Sequence, residues 1–252
     1  DLARIARALG ALDVPATSDR TTLRAVERAT GVAVAVSVAP RIVQAPAAAL
    51  VVNAPGRPDR ANGRSLALFR TAPAAPRKLA HVVLTSPDAA ATTRFCVDGL
   101  GFRVSDRVGD DAAFMRCSSD HHNLLVQAAP VAFVHHTAWE MADVDEVGRA
   151  ASAMLAGDPA RHVWGLGRHY LGSNYFWYLR DPAGNYAEYT SDVDVILDDA
   201  RWVAESLAAG PKALAAWGPP VPAAFLFPED VPALMAAEEA ARAGSTRVGS
   251  VR

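Results

Sequence analysis

Residues 169–188, HYLGSNYFWYLRDPAGNYAE, bring an imidazole, a phenol and a carboxylate into one short stretch, as His169, Tyr178 and Glu188. An imidazole titrates near neutrality and can take or give a proton. The carboxylate is the most informative of the three. It lies among aromatics on an apolar run, where burying it is costly unless something positive meets it. Glu is seldom fully buried unpaired, so a solvated or ion-paired Glu188 is the plainer alternative. Two histidine-bearing stretches upstream supply candidates for that partner. Asp181-Pro182-Ala183-Gly184-Asn185 is a strong turn signal, since Pro presets one turn dihedral and Gly and Asn tolerate positive φ. Residues 175–179 and 186–190 therefore read as paired strands. Strand alternation puts Tyr186, Glu188 and Thr190 on one face and Ala187 and Tyr189 on the other.

The elements that must position these groups form a repeat. Residues 79–85, LAHVVLT, read as an apolar strand carrying His81, and Ser86-Pro87-Asp88 starts a helix that ends near Asp98-Gly99. Strands follow around 102–105, 112–118 and 123–128, giving the order β-α-β-β-β. The order then begins again. Residues 133–141, FVHHTAWEM, read as a strand with His135 and His136, and 143–155 as a helix with Val144, Val147, Ala151, Met154 and Leu155 inward. The hairpin completes the second unit. Laying Ala80-His81 on His135-His136 brings the helix-opening Asp88 and Asp143 into register, which selects His136 over His135. The last strand of the first unit begins at His122 and that of the second contains Glu188. His81, His136, His122 and Glu188 are then aimed at one cavity. Two imidazoles and a carboxylate with open positions are the donor set of non-haem Fe(II) oxygen chemistry, although Mn(II), Zn(II) and Ni(II) accept it too.

With 252 residues, 51% of them hydrophobic, the chain can bury a sizeable core. Its net charge of -2 and the lack of a long basic run give no electrostatic footprint for nucleic acid or an anionic membrane, so small molecules are the expected partners. Two cysteines, no apolar run of about 18 residues and no signal peptide point to a reducing, cytoplasmic compartment. The chain opens at Asp1 rather than Met, so residues upstream of it are expected. Residues 1–70 read as a structural N-terminal module without His or Cys. In it, Leu2, Ile5, Leu9 and Leu12 share a helical face ending near Asp13, and Val32, Val34, Val36 and Val38 mark a strand packed on both faces. Residues 71–78, TAPAAPRK, read as a Pro-rich linker, and 79–192 as the unit carrying the chemistry. The extension 193–252 is expected to be helical over 193–209 and 228–244 and frayed from 245. Between those helices, 217–227, WGPPVPAAFLF, reads as a cover over a pocket or a neighbouring subunit, with packing on its own domain an equal alternative.

Residues 79–192 resemble the catalytic domain of the type I extradiol ring-cleavage dioxygenases in the vicinal oxygen chelate superfamily. The resemblance is carried by the His81 strand, FCVDGLGF at 95–102, the His-His strand, Gly167-Arg168-His169 and YLRDPAGNYAE at 178–188. It implies an α+β fold of paired βαβββ modules in a half-open barrel around a metal site, with a shortened N-terminal module and a helical C-terminal extension. It also implies Fe(II) held by His81, His136 and Glu188. His122 and His169 become catalytic histidines beside the metal, and Tyr178 the group that hydrogen-bonds a catecholic oxygen. The implied reaction is ring cleavage of a catechol with O2 by a homo-oligomer. His121, His135 and His162 match no such role and read as structural or exposed. Two alternatives share the superfamily's modules. One is a redox-silent metal-dependent isomerase or lyase of the glyoxalase kind, in which His122 and Tyr178 lack a purpose. The other is a metal-free binding protein of the bleomycin-sequestering kind, which needs none of these histidines.

Overall fold

The structure, a computed structural model, describes residues 2–40 and 42–248. It begins with α1 (Leu2–Ala11) laid over β1 (Ala16–Ser18), β2 (Thr22–Val26) and β3 (Ala33–Ser37). Ile5 and Leu9 are the buried stripe of α1, and they meet Leu23 and Ala25 from the inner face of β2. Asp13, at φ +56°, turns the chain out of the helix. The expected two-faced packing of 32–38 is not observed: Ala33, Ala35 and Ser37 are exposed and Val34 and Val36 half-buried. β3 pairs with β2 alone, and the small residues carry too little apolar area to draw a second layer onto that face.

The repeat is β4 (Lys78–Ser86), α2 (Ala89–Arg94), β5 (Arg103–Val108), β6 (Ala112–Arg116) and β7 (Leu124–Ala128), then β8 (Val134–Glu140), α3 (Val144–Gly157), β9 (His162–Arg168), β10 (Tyr175–Arg180) and β11 (Tyr186–Ser191). Both aligned aspartates cap their helices. Asp88 accepts the Ala91 N–H and Asp143 the Glu146 N–H, which satisfies a donor the first turn leaves open. α2 passes into a π-helical turn, Phe95–Leu100, which ends at Gly101 with φ +87°. Leu9 of α1 packs here, in one apolar cluster with Phe95, Met115 and Val126.

The strands form one mixed, open sheet of order β12-β5-β6-β7-β4-β8-β11-β10-β9, where β12 (Ser206–Leu207) is an edge addition. The α+β class expected from the sequence is observed, and the sheet does not close. Its order is close to a mirror about the central β4–β8 antiparallel pair: β4 runs parallel to β7 as β8 runs parallel to β11. β9 lies outside the elements read from the sequence, and Gly165 and Gly167 interrupt its apolar pattern. At Gly167 a side chain would lie 2.4 Å from the Phe176 ring and 3.0 Å from the Trp217 carbonyl, so the strand needs that glycine for packing.

The helix expected over 193–209 is not there. That segment runs extended, with Asp194 N–H bonded to the Gly172 carbonyl and Ile196 N–H to Ser119, before a 3-10 turn at Asp199–Arg201 and β12. Tertiary pairing overrides a composition that suits a helix. Three helices follow, α4 (Pro211–Leu214), α5 (Ala223–Leu226) and α6 (Val231–Val248), with irregular chain between them. Residues 245–248 of the expected frayed tail continue α6, and 249–252 lie outside the described residues. Among the described residues no helix is long and apolar enough to cross a membrane.

Candidate metal centre

Strand register builds the site. His81 on β4 lies opposite Ala138 on β8, Ala138 beside Glu188 on β11, and Glu188 opposite Tyr178 on β10. Residues in one row across a sheet point to the same face, and His136, two positions before Ala138, points there as well. Ala138 is the small member of the row, which leaves space between His81 and Glu188. Glu188 Oε2 lies 3.3 Å from His81 Nε2 and 3.5 Å from His136 Nε2. One donor atom from each of the three residues falls within 4.8 Å of the others, and all three are buried.

The hydrogen bonds around this trio determine what it lacks. Asn174 Nδ2 donates to Glu188 Oε1 at 3.1 Å, but Glu188 Oε2 has no hydrogen-bond partner. Behind His136, its Nδ1 is 2.8 Å from His135 Nδ1, and His135 Nε2 is 2.8 Å from the Phe225 carbonyl. A carbonyl can only accept, so His135 donates from Nε2, accepts at Nδ1 from His136, and leaves His136 Nε2 without a proton. A lone pair thus faces a carboxylate oxygen in a buried cavity. Burial pushes His136 down to about 3 despite the pull of Glu188. Burial pushes Glu188 up, while a proton shared with the facing imidazoles of His136 and His81 pulls it the other way, well below the usual carboxylate range. A buried carboxylate with an oxygen that no donor satisfies is short of positive charge, and a divalent cation bound by two imidazoles and a carboxylate supplies it. His81, His136 and Glu188 could therefore hold a metal ion.

The same burial makes folding sensitive to acid. His122, His135, His136 and His169 are all shifted downward, with burial the largest cause. An unfolded histidine binds its proton near 6.5 and these folded ones only at lower pH, so their contribution is fully present above about 6.5 and is lost as pH falls below it. Melting temperature of the protein without added metal is expected to fall continuously from about pH 7 to about pH 4. At pH 7 a divalent metal at about a hundredfold over its Kd should add about 2.7 kcal/mol. A flat melting curve across that range would contradict the account.

Beside the trio, His169 Nδ1 lies 2.5 Å from the Leu214 carbonyl and its Nε2 2.9 Å from the Tyr178 hydroxyl. The carbonyl takes the Nδ1 proton, so Nε2 is the acceptor and Tyr178 the donor. His169 Nε2 is 3.9 Å from Glu188 Oε1. The His122 ring lies tilted against His81 with centroids 4.1 Å apart. All six residues singled out in the sequence line one small cavity or, for Glu188, its wall. Phe225 closes it, 4.6 Å from Tyr178 and 5.0 Å from Trp164 between ring centroids. The covering segment 217–227 acts through this residue, whereas Trp217 is half exposed and bonded to the edge of β9. His121 and His135, read as structural or exposed, are buried directly behind His122 and His136. The one signal that could have found them is the His-His dipeptide, which occurs twice. Asn174, Leu214 and Phe225 carried none, because their contacts with the site are wholly tertiary. His162 is exposed and bonded to the Trp177 indole N–H.

Residues 78–189 match the family model described as the Glyoxalase/Bleomycin resistance protein/Dioxygenase superfamily. Metapyrocatechase 2 of Cupriavidus necator is 44% identical over 153 residues, which are 60% of this chain and 47% of that protein. A biphenyl-2,3-diol 1,2-dioxygenase of Paraburkholderia xenovorans is 32% identical over 134 residues, 50% of this chain and 44% of the relative. The chain thus spans about half the length of these two proteins. Among solved structures, a Mn(II)-bound glyoxalase from Novosphingobium aromaticivorans superposes with a TM-score of 0.66 at 25% identity, covering 92% of this chain and 72% of the other.

Proposed function

We propose that this protein is an extradiol dioxygenase that opens the ring of a catechol with O2, using Fe(II) held by His81, His136 and Glu188. The observation that carries the reading is the bonded pair Tyr178–His169 set beside the trio, with His122 on its other flank. A metal-dependent isomerase needs the trio and one base. Three further groups converging on one cavity suit a reaction that must bind a dihydroxylated ring, take its proton and handle reduced oxygen. Fe(II) at the trio would supply open positions for both reactants and a means of passing electrons between them.

The protein's own groups would do the rest. His169 Nε2 is an unprotonated acceptor and takes the proton of a catechol hydroxyl as the ring binds. The Tyr178 hydroxyl then hydrogen-bonds the deprotonated oxygen and fixes the ring's orientation. His122 faces the other side, where, once it carries a proton on Nε2, a hydrogen bond from it to reduced oxygen gains strength from the lack of water. Trp164 and Phe225 supply an apolar wall for the ring. In this reading 1–70 is a structural module, 71–78 a linker, 79–192 the catalytic unit and 193–252 a C-terminal extension, in a cytoplasmic homo-oligomer.

The test is oxygen uptake on a panel of catechols after anaerobic loading with Fe(II). Ring cleavage is expected with Fe(II) alone, while Zn(II) binds and gives none, because it has no accessible second redox state. The likeness to a glyoxalase names the competing outcome. No oxygen uptake with any catechol, together with isomerisation of a thiol adduct under nitrogen, would overturn the proposal.

A further inference from the structure

Asp106 and His121 sit behind His122, away from the trio, and the reaction proposed above does not use them. Asp106, on β5, is buried; its Oδ2 lies 2.8 Å from His121 Nε2, and its Oδ1 accepts the backbone N–H of Glu205 at 2.7 Å. His121 is fully buried, and its Nδ1 lies 3.0 Å from His122 Nδ1. The His121 ring is held from several sides. The Ser105 hydroxyl donates to its carbonyl, the Trp202 ring packs edge-on at 5.5 Å between centroids, and Gly172 closes over the bond between the rings. A side chain at Gly172 would lie 3.1 Å from His121 Nδ1, and the backbone there has φ +84°.

We propose that Asp106 and His121 are positioning residues that fix the tautomer of His122, so that its Nε2 faces the cavity as an unprotonated acceptor. The chain of roles runs in one direction. An ionised carboxylate only accepts, so His121 donates from Nε2. A neutral His121 must then accept at Nδ1, and the proton in that bond comes from His122 Nδ1. His122 is left with a lone pair at Nε2. A proton taken there from a substrate hydroxyl makes His122 a cation whose Nδ1–H is still held by His121, with the Asp106 carboxylate behind. The cation can then return that proton to an oxygen anion.

The inference rests on the dioxygenase reading for its consequence, but its geometry can be tested apart from it. Asp106→Asn is the decisive variant. The Glu205 N–H requires an oxygen opposite it, so the amide nitrogen must face His121 Nε2 and donate to it. His121 then carries its proton on Nδ1, gives it to His122 Nδ1, and His122 carries its own proton on Nε2. The acceptor becomes a donor. Nitrogen NMR of histidine-labelled, metal-free protein, with the His122 signal assigned through His122→Gln, should show an unprotonated Nε2 in the parent and a protonated one in Asp106→Asn. In turnover, kcat should fall about 10²- to 10⁴-fold, the range for losing a correctly protonated general base, with KM for the catechol within about threefold. A protonated His122 Nε2 in the parent, or Asp106→Asn with unchanged kcat, would overturn the proposal. If Asp106→Asn does not fold, His121→Phe removes the acceptor of His122 and should lose kcat likewise; retained kcat there is equally fatal. If the parent consumes no oxygen, the functional reading fails and the nitrogen spectrum still decides the tautomer.

Discussion

His136→Ala is expected to strip the protein of metal, while His169→Ala and His122→Ala leave it in place and slow turnover. The distinction follows from where each nitrogen points. His136 Nε2 faces Glu188 Oε2 with no proton of its own, and removing it leaves two donors for a cation that needs at least three. The loss of affinity should exceed the roughly 10- to 100-fold that outer-shell changes cost. His135→Phe is such an outer-shell change. It removes the acceptor that fixes the His136 tautomer but no donor to the metal, so its effect should lie within that range. His169 Nε2 is committed to the Tyr178 hydroxyl, and His122 is tied by Nδ1 to His121. Neither loss exposes the trio to a competing partner. Bound metal per chain, measured after loading and desalting, separates the classes. A His169→Ala or His122→Ala protein without metal would mean that the roles are assigned wrongly.

How these residues could be read before the fold was known depended on the type of contact each makes. His81, His136 and Glu188 lie on strands, and an internal repeat with capping aspartates at equivalent places fixes which residues face the same way. The repeat aimed them at one cavity, while the register across β4, β8, β11 and β10 that sets them in one row is seen only in the fold. His135 illustrates the limit. The repeat preferred its neighbour, whose Nε2 lies 3.5 Å from Glu188 Oε2, but the partner that gives His135 its role is a carbonyl at Phe225, far along the chain. The Leu214 carbonyl sets His169 in the same way. Backbone acceptors have no residue type, so nothing in the composition of 211–226 marks it as part of the site. The helix expected over 193–209 failed for a related reason: the backbone groups of Asp194 and Ile196 are taken by Gly172 and Ser119. Local propensity cannot anticipate a partner supplied by the fold.

That the extension sets the state of His169 leads to a pH dependence. With Nδ1–H held by the Leu214 carbonyl, the single basic site is Nε2, and a proton gained there displaces the Tyr178 hydrogen bond and ends its use as an acceptor. Burial pushes the His169 pKa down, with the nearby Glu188 charge pulling the other way, and the net shift is downward from 6.5. The neutral, active form therefore persists below the pH at which a solvated histidine would be half protonated. In the free enzyme kcat/KM should hold steady from about pH 7.5 to 6.5 and fall on an acid limb whose midpoint lies below 6.5. Metal bound at the trio offsets the Glu188 charge, which removes the main upward pull and moves that limb further toward acid. His169→Ala should lower kcat about 10²- to 10⁴-fold and abolish the limb. Tyr178→Phe keeps the base but loses the donor that orients the substrate, so it should lower kcat and raise KM while retaining the limb. Tyr178 itself stays protonated throughout, since burial first and the Glu188 charge second drive its phenol well above 10. An acid limb that survives His169→Ala unchanged would assign the proton to another group.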